Sequence, residues 1–141
     1  MNLWLLDASV LLASEDPDDI CHGAARQLLE GGDPLATLDL AYYEAANVAI
    51  RSWRDHAAAR RLTERIAAVA DDGGLVRVEA SLVARASTIT EEHGISAYDA
   101  AYVAAARASN GQLVSCDVRD LVSRGLARLP GDAVPSQKQA E

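Results

Sequence analysis

Four acidic residues stand where a carboxylate can do more than carry charge. Asp7 closes the short apolar run Leu3-Trp4-Leu5-Leu6, and Asp117 follows the run Leu113-Val114-Ser115 with Cys116 between. Asp99 lies just inside the alanine-rich stretch Ser96-Ala97-Tyr98-Asp99-Ala100-Ala101-Tyr102. Glu44 falls within a helical segment, with Asn47 and Arg51 three and seven residues on along the same face. Hard divalent cations such as Mg²⁺ and Mn²⁺ prefer octahedral oxygen ligands, so a set of Asp and Glu without His or Cys suits them. Gathered carboxylates repel one another. A bound dication removes that penalty, polarises a phosphate oxygen and activates water. Each acid also has an ordinary explanation. Asp7 reads as a helix cap, Asp117 with Asp120 as a cap and first-turn acid, Ser96 with Asp99 as a relative of the capping box, and Glu44 as a solvated helix glutamate.

Any shared role depends on the elements that carry these acids. The chain has 141 residues, half of them apolar, enough for one core and too few for two ordinary domains. Short apolar runs at 3–6, 35–38, 75–78 and 113–115 read as buried strands. Helical spacing separates them. Ile20, Ala24 and Leu28 share a face, as do Leu62, Ile66, Val69 and Ala70, and Leu82, Val83, Ala86 and Ile89. Two helices, roughly 41–54 and 57–70, fit between the second and third strands, Asp71-Asp72-Gly73-Gly74 stops one helix, and Asn110-Gly111 stops another. The alternation predicts an α/β fold in three layers, a mostly parallel central sheet of four to five strands with helices on both faces. Ligands of such sheets bind beyond the carboxyl ends of the strands, where Asp7 and Asp117 fall. Residues 1–129 form the expected domain, and 130–141, without apolar periodicity, a flexible tail.

The strings Leu5-Leu6-Asp7-Ala8-Ser9, Glu44-Ala45-Ala46-Asn47-Val48, Tyr98-Asp99-Ala100-Ala101-Tyr102-Val103-Ala104-Ala105-Ala106 and Leu113-Val114-Ser115-Cys116-Asp117-Val118-Arg119-Asp120-Leu121 together resemble the four acidic motifs of PIN domains, particularly the VapC-type toxins of bacterial toxin–antitoxin pairs. Order, intervals and strand-then-acid context agree over roughly residues 1–129. The resemblance implies that Asp7, Glu44, Asp99 and Asp117 are catalytic acids binding Mg²⁺ or Mn²⁺. It further implies supporting roles for Ser9, Asn47 and Ser115, and Asp120 as an additional acid near the metal. Its other implications are an RNA substrate, single-stranded or looped, cut to leave 5′ phosphates, a small cognate antitoxin, and a homodimer or higher assembly.

The formal net charge of −8 opposes a nucleic-acid partner unless the charge is unevenly laid out. Arg51, Arg54, Arg60, Arg61 and Arg65 all fall in the predicted helix pair that begins near Glu44. Arg51 with Arg54, and Arg61 with Arg65, form two short basic stripes, either RNA contacts or solvated faces with local partners. Tyr42, Tyr43, Tyr98 and Tyr102 lie near the acids, as stacking platforms for bases or as core residues with a wet hydroxyl. The only lysine, Lys138, sits in the tail, which leaves the body without the lysine that a phosphoacceptor signalling domain, the rival Mg²⁺-binding reading, normally uses. A catalytically silent interaction module on the same fold is the other rival. His22, His56 and His93 form no metal-binding pattern, and Cys21 and Cys116 have no zinc or disulfide-framework spacing. No apolar run is long enough for a membrane span or a signal-peptide core, so a cytoplasmic protein is expected.

Overall fold

A computed structural model of the chain describes residues 2–133. In chain order the elements are β1 (Trp4–Leu6), α1 (Ala8–Glu15), α2 (His22–Glu30), β2 (Leu35–Leu38), α3 (Leu40–Arg51), α4 (His56–Asp71), β3 (Leu75–Val76), α5 (Ala80–His93), α6 (Ala97–Ala108) and β4 (Gln112–Val114). The four strands form one sheet in the order β3-β2-β1-β4, parallel throughout. Leu5 is in register with Ala36 on one side and Leu113 on the other. A single parallel bridge from Val114 to Arg128 lies on the outer side of β4, outside the four strands of the sheet.

The strand order fixes the layers. From β1 to β2 to β3 the chain steps one way across the sheet, and from β3 to β4 it steps back across the whole width. Right-handed crossovers then put α1 to α4 on one face and α5 with α6 on the other. The reversal lies between the neighbours β1 and β4, so the crevice beyond their carboxyl ends is the switch point of the sheet. Trp4, Leu5, Leu6, Leu38 and Val114 are wholly buried, as strands covered on both sides must be. On α6 the buried Ala100, Ala104, Ala105 and Ala106 let the helix sit close to the sheet, as the run of small residues predicts.

Both predicted stops are where expected. Gly74 is required by space, because a Cβ there would lie 2.1 Å from the Leu35 carbonyl oxygen, and Asn110 ends α6 with φ of 56°. Strand β3 is two residues shorter than predicted. The amide of Val78 donates to the Asp39 carboxylate, 3.2 Å to each oxygen, and so leaves the ladder. Ile20, expected on the buried face of a helix with Ala24 and Leu28, lies before α2 and is 99% exposed. Asp16 and Asp19 accept the amides of Asp18 and Cys21, and these side-chain turns delay the helix to His22. Val83, expected on a core face, is exposed, while Leu82, Ala86 and Ile89 are buried. Residues 130–132, at the start of the predicted tail, form a single 3₁₀ turn with Pro130 and Ala133 buried beside α2. The rest of that tail, 134–141, lies outside the described residues. Among the described residues no helix is long and apolar enough to cross a membrane.

Candidate metal centre

Asp7 stands at the carboxyl end of β1 and caps α1, only 5% exposed. Its Oδ1 accepts from the Ser9 hydroxyl at 2.5 Å and the Val10 amide at 3.3 Å, and its Oδ2 accepts from the Ser115 hydroxyl at 2.5 Å. Both serines also grip the backbone just beyond β4. The Asp117 amide donates to Ser115 Oγ at 3.0 Å, and the Cys116 amide to Ser9 Oγ at 2.9 Å. Thus β1 and β4 are stitched together through side chains where their backbones part. Asp117 in turn caps a π-helical turn over Val118–Val122, its Oδ1 accepting from the Asp120 amide at 3.0 Å. That turn swings Asp120 back towards Asp117.

From the opposite face, α6 delivers Asp99 in its first turn, where the Asp99 amide donates to the capping Ser96 hydroxyl. One carboxylate oxygen from each of Asp99, Asp117 and Asp120 lies within 4.8 Å of the others. Asp7 and Glu44 are not in that set. From α3, Glu44 is held by the Tyr102 hydroxyl of α6, which donates to its Oε1 at 2.6 Å, and its charge acts on Asp99. The cap readings and the cluster reading therefore hold together. A carboxylate has two oxygens, and a cap hydrogen bond leaves room for a second engagement.

The crowding shows in the proton affinities. Burial pushes the Asp7 carboxyl up to about 6, with the Asp99 charge adding to it, although three hydrogen bonds pull the other way. Asp99 is raised by burial first, then by Asp117, Asp120 and Glu44. Burial and then the Glu44 carboxylate hold the Tyr102 phenol protonated far beyond its usual range. An all-oxygen donor set that is costly to ionise together fits a hard divalent cation, which would neutralise it. Thiol chemistry is not favoured here, because burial and then the neighbouring Cys21 thiol hold the Cys116 thiol up.

The predicted supporting residues divide. Ser9 and Ser115 are in the network, whereas Asn47 is exposed one turn beyond Glu44. The arginines divide too. Arg61 Nε and Arg65 Nη2 each lie 2.8 Å from a different oxygen of Glu15, so the second stripe ties α4 to the end of α1 remote from Asp7. Arg51 and Arg54 are exposed at the α3–α4 turn. Of the four tyrosines, Tyr43 and Tyr98 are exposed, Tyr42 is half-buried, and Tyr102 is buried. The roles of two contributors escaped the sequence reading. Arg119, 92% exposed, stands 3.4 Å from Asp120, and Tyr102 holds Glu44. Its spacing of three from Asp99 on one helix face was the available signal for Tyr102.

Compared with known families, residues 4–124 match the PIN domain. No curated protein matches the sequence. Among solved structures, similarity extends to a sarcin–ricin-loop-cleaving VapC toxin of Mycobacterium tuberculosis, with TM-score 0.70 and 23% identity over 86% of this chain and 95% of that one. A toxin–antitoxin complex from Klebsiella pneumoniae is similar with TM-score 0.67 and 16% identity over 89% and 96%. A protein of Pyrobaculum aerophilum follows with TM-score 0.66 and 25% identity over 92% and 84%.

Proposed function

This chain belongs to the PIN domain family, and we propose that it is a ribonuclease that hydrolyses RNA phosphodiester bonds with Mg²⁺ or Mn²⁺, as the toxin of a toxin–antitoxin pair. The observation that carries the enzymatic reading is the convergence of Asp99, Asp117 and Asp120 within 4.8 Å at the switch point, with Asp7 and Glu44 joined to them. The toxin role and the antitoxin partner are supported by the toxin and the toxin–antitoxin complex among the structures this chain resembles.

Asp7, Glu44, Asp99 and Asp117, with Asp120, would hold the metal. When bound, the ion supplies charge neutralisation at the phosphate and a water of lowered pKa for in-line attack on phosphorus. The protein's own share is positional. Ser9 and Ser115 fix Asp7 against rotation, and Asp117 is fixed through its cap to Asp120. These constraints hold the cluster in place before substrate arrives, which avoids reorganisation during the reaction. Exposed Arg51 and Arg54 are the proposed RNA contacts, with Arg119 nearer the acids. An antitoxin would inhibit by covering the acids.

The test is cleavage of a single-stranded RNA by the purified chain with Mg²⁺, Mn²⁺, Ca²⁺ or EDTA, and end analysis of the products. Cleavage with Mg²⁺ or Mn²⁺ that leaves 5′ phosphates and vanishes in EDTA is expected, with Ca²⁺ a poor substitute. Full activity in EDTA would overturn the metal assignment.

A further inference from the structure

The carboxyl edge of the sheet holds a second feature beside the acids. Asp39, Leu40, Tyr42, Tyr43 and Val78 line a hollow of about 420 Å³. Asp39 follows β2, Val78 lies two residues past β3, and the other three stand at the start of α3. Because the strand order is β3-β2-β1-β4, the hollow and the acids beyond β1 and β4 share one edge, two strand spacings or about 10 Å apart. Its walls are apolar and aromatic. Tyr43 is 82% exposed and Val78 46%, so neither is spent on the core. Asp39 is the only charged residue of the lining, and both its oxygens accept from the Val78 amide at 3.2 Å. That bond fixes the carboxylate and leaves each oxygen capacity to accept again.

An aromatic hollow with a single carboxylate repels a phosphate. It suits a base, which stacks on a ring and meets the carboxylate with its edge. A carboxylate only accepts hydrogen bonds. Guanine alone among the RNA bases presents two adjacent donors on its Watson–Crick edge, the ring N1–H and the amino group, to match two oxygens. Adenine and cytosine set one amino group beside an acceptor, and uracil sets one N–H between two carbonyls. We propose that this hollow is a base-binding subsite selective for guanine, with Asp39 the specificity-determining residue and Tyr43 the stacking platform. It would take a nucleotide neighbouring the one whose phosphate is cut. The inference rests on the reading of the chain as a ribonuclease.

The test is cleavage by the full chain, with Mn²⁺, of oligouridines that each carry a single guanosine, adenosine, cytidine or inosine. Cleavage at a fixed offset from guanosine is expected, with kcat/KM about ten-fold or more above that for adenosine or cytidine. Inosine, which keeps N1–H and lacks the amino group, should fall between. Asp39→Asn replaces one acceptor by a donor and still serves the Val78 amide, so it should erase the ratio of guanosine to the other bases. Tyr43→Ala should weaken binding of every oligomer by about ten-fold and leave the ratio, because stacking tolerates any base. If Asp39→Asn does not fold, the comparison of guanosine with inosine in the unaltered chain decides alone. Cleavage without a guanosine preference, or a preference that survives Asp39→Asn, overturns the proposal, assigns the Tyr43 face to a protein surface instead and leaves the ribonuclease standing. Absence of metal-dependent cleavage of any oligomer overturns both this inference and the reading beneath it.

Discussion

The two ends of helix α1 carry acids under opposite conditions. At the N-terminal end Asp7 has only neutral donors and other carboxylates around it, and burial pushes it up to about 6. At the C-terminal end Glu15 is also shielded, yet two arginines from α4 more than offset its burial and hold it below the usual carboxylate range. The helix dipole would favour the reverse, an acid being welcome at the N-terminus and unwelcome at the C-terminus. Asp7 is therefore disfavoured as an anion despite a good helix position, and Glu15 is stabilised despite a poor one. One end keeps unneutralised charge ready for a ligand, and the other neutralises its charge within the fold.

The sharpest way to break this comparison is to neutralise the N-terminal end. Asp7→Asn and Asp99→Asn should each lower RNA cleavage by about a thousand-fold or more, in line with the loss of a key electrostatic group from a reaction centre. Their circular dichroism should stay native. Unchanged rates at both limiting and saturating Mg²⁺ would sink the assignment of these acids.

The next effect is on stability in EDTA. Because the folded state raises the Asp7 carboxyl from 3.8 to about 6, the folded protein holds more protons than the unfolded chain between those values. Stability should then be greatest at the acid end of this window and fall as pH rises through it, by about 3 kcal/mol at most, and level off above pH ~6. Asp7→Asn should lack that decline, and Mg²⁺ should reverse it in the unaltered chain. Urea denaturation at several pH values checks this, and a stability that rises across the window because of Asp7 would contradict the burial argument.

At the C-terminal end the expectation is a fold effect without a cleavage effect. Glu15→Gln should lower Tm by about 5 °C, the scale of a lost charged hydrogen-bond pair in a domain of this size, and leave kcat and KM alone. A cleavage defect larger than the stability loss would show that the two ends are coupled through α1.

How much of this was open to the sequence depends on the range of the contact involved. Asp7, Asp117 and Asp99 are marked in the sequence by their immediate neighbours, a strand end for the first two and a helix start for the third, whereas Glu44, inside a helix, is grouped with them only by the resemblance. The role of Glu15 was not, because its partners Arg61 and Arg65 lie 46 and 50 residues away and meet it only when α4 packs on α1. For the same reason the sequence leaves the second arginine stripe open between an RNA contact and a solvated face with local partners. Tyr102 stands 58 residues from Glu44, so only the tertiary fold could pair them. The shortened β3 turned on one side chain, Asp39, diverting one amide, which no apolar pattern records. The resemblance puts Asp120 beside the other acids, and the π-helical turn is what brings its carboxylate within reach of Asp117 and Asp99.

The smallest expected effect separates the two stripes. Arg51→Gln and Arg54→Gln should raise KM with little change in kcat and flatten the dependence of log affinity on log salt by somewhat under one unit each. Arg61→Gln and Arg65→Gln should lower Tm and leave that slope unchanged. Equal slopes for all four variants would erase the distinction drawn from the Glu15 contacts.

The sheet's two borders bear on how copies of this chain can associate. An exposed edge strand is a template on which a second chain can extend the sheet. Here β3 is two residues long, too short to guide such pairing. On the other border the amide and carbonyl of Arg128 already pair with Leu113 and Ser115. Among the described residues neither border offers a long open strand for sheet extension. Any association between copies then falls to helical surface, where α3 offers exposed Tyr43 and Ile50 and α5 offers Val83.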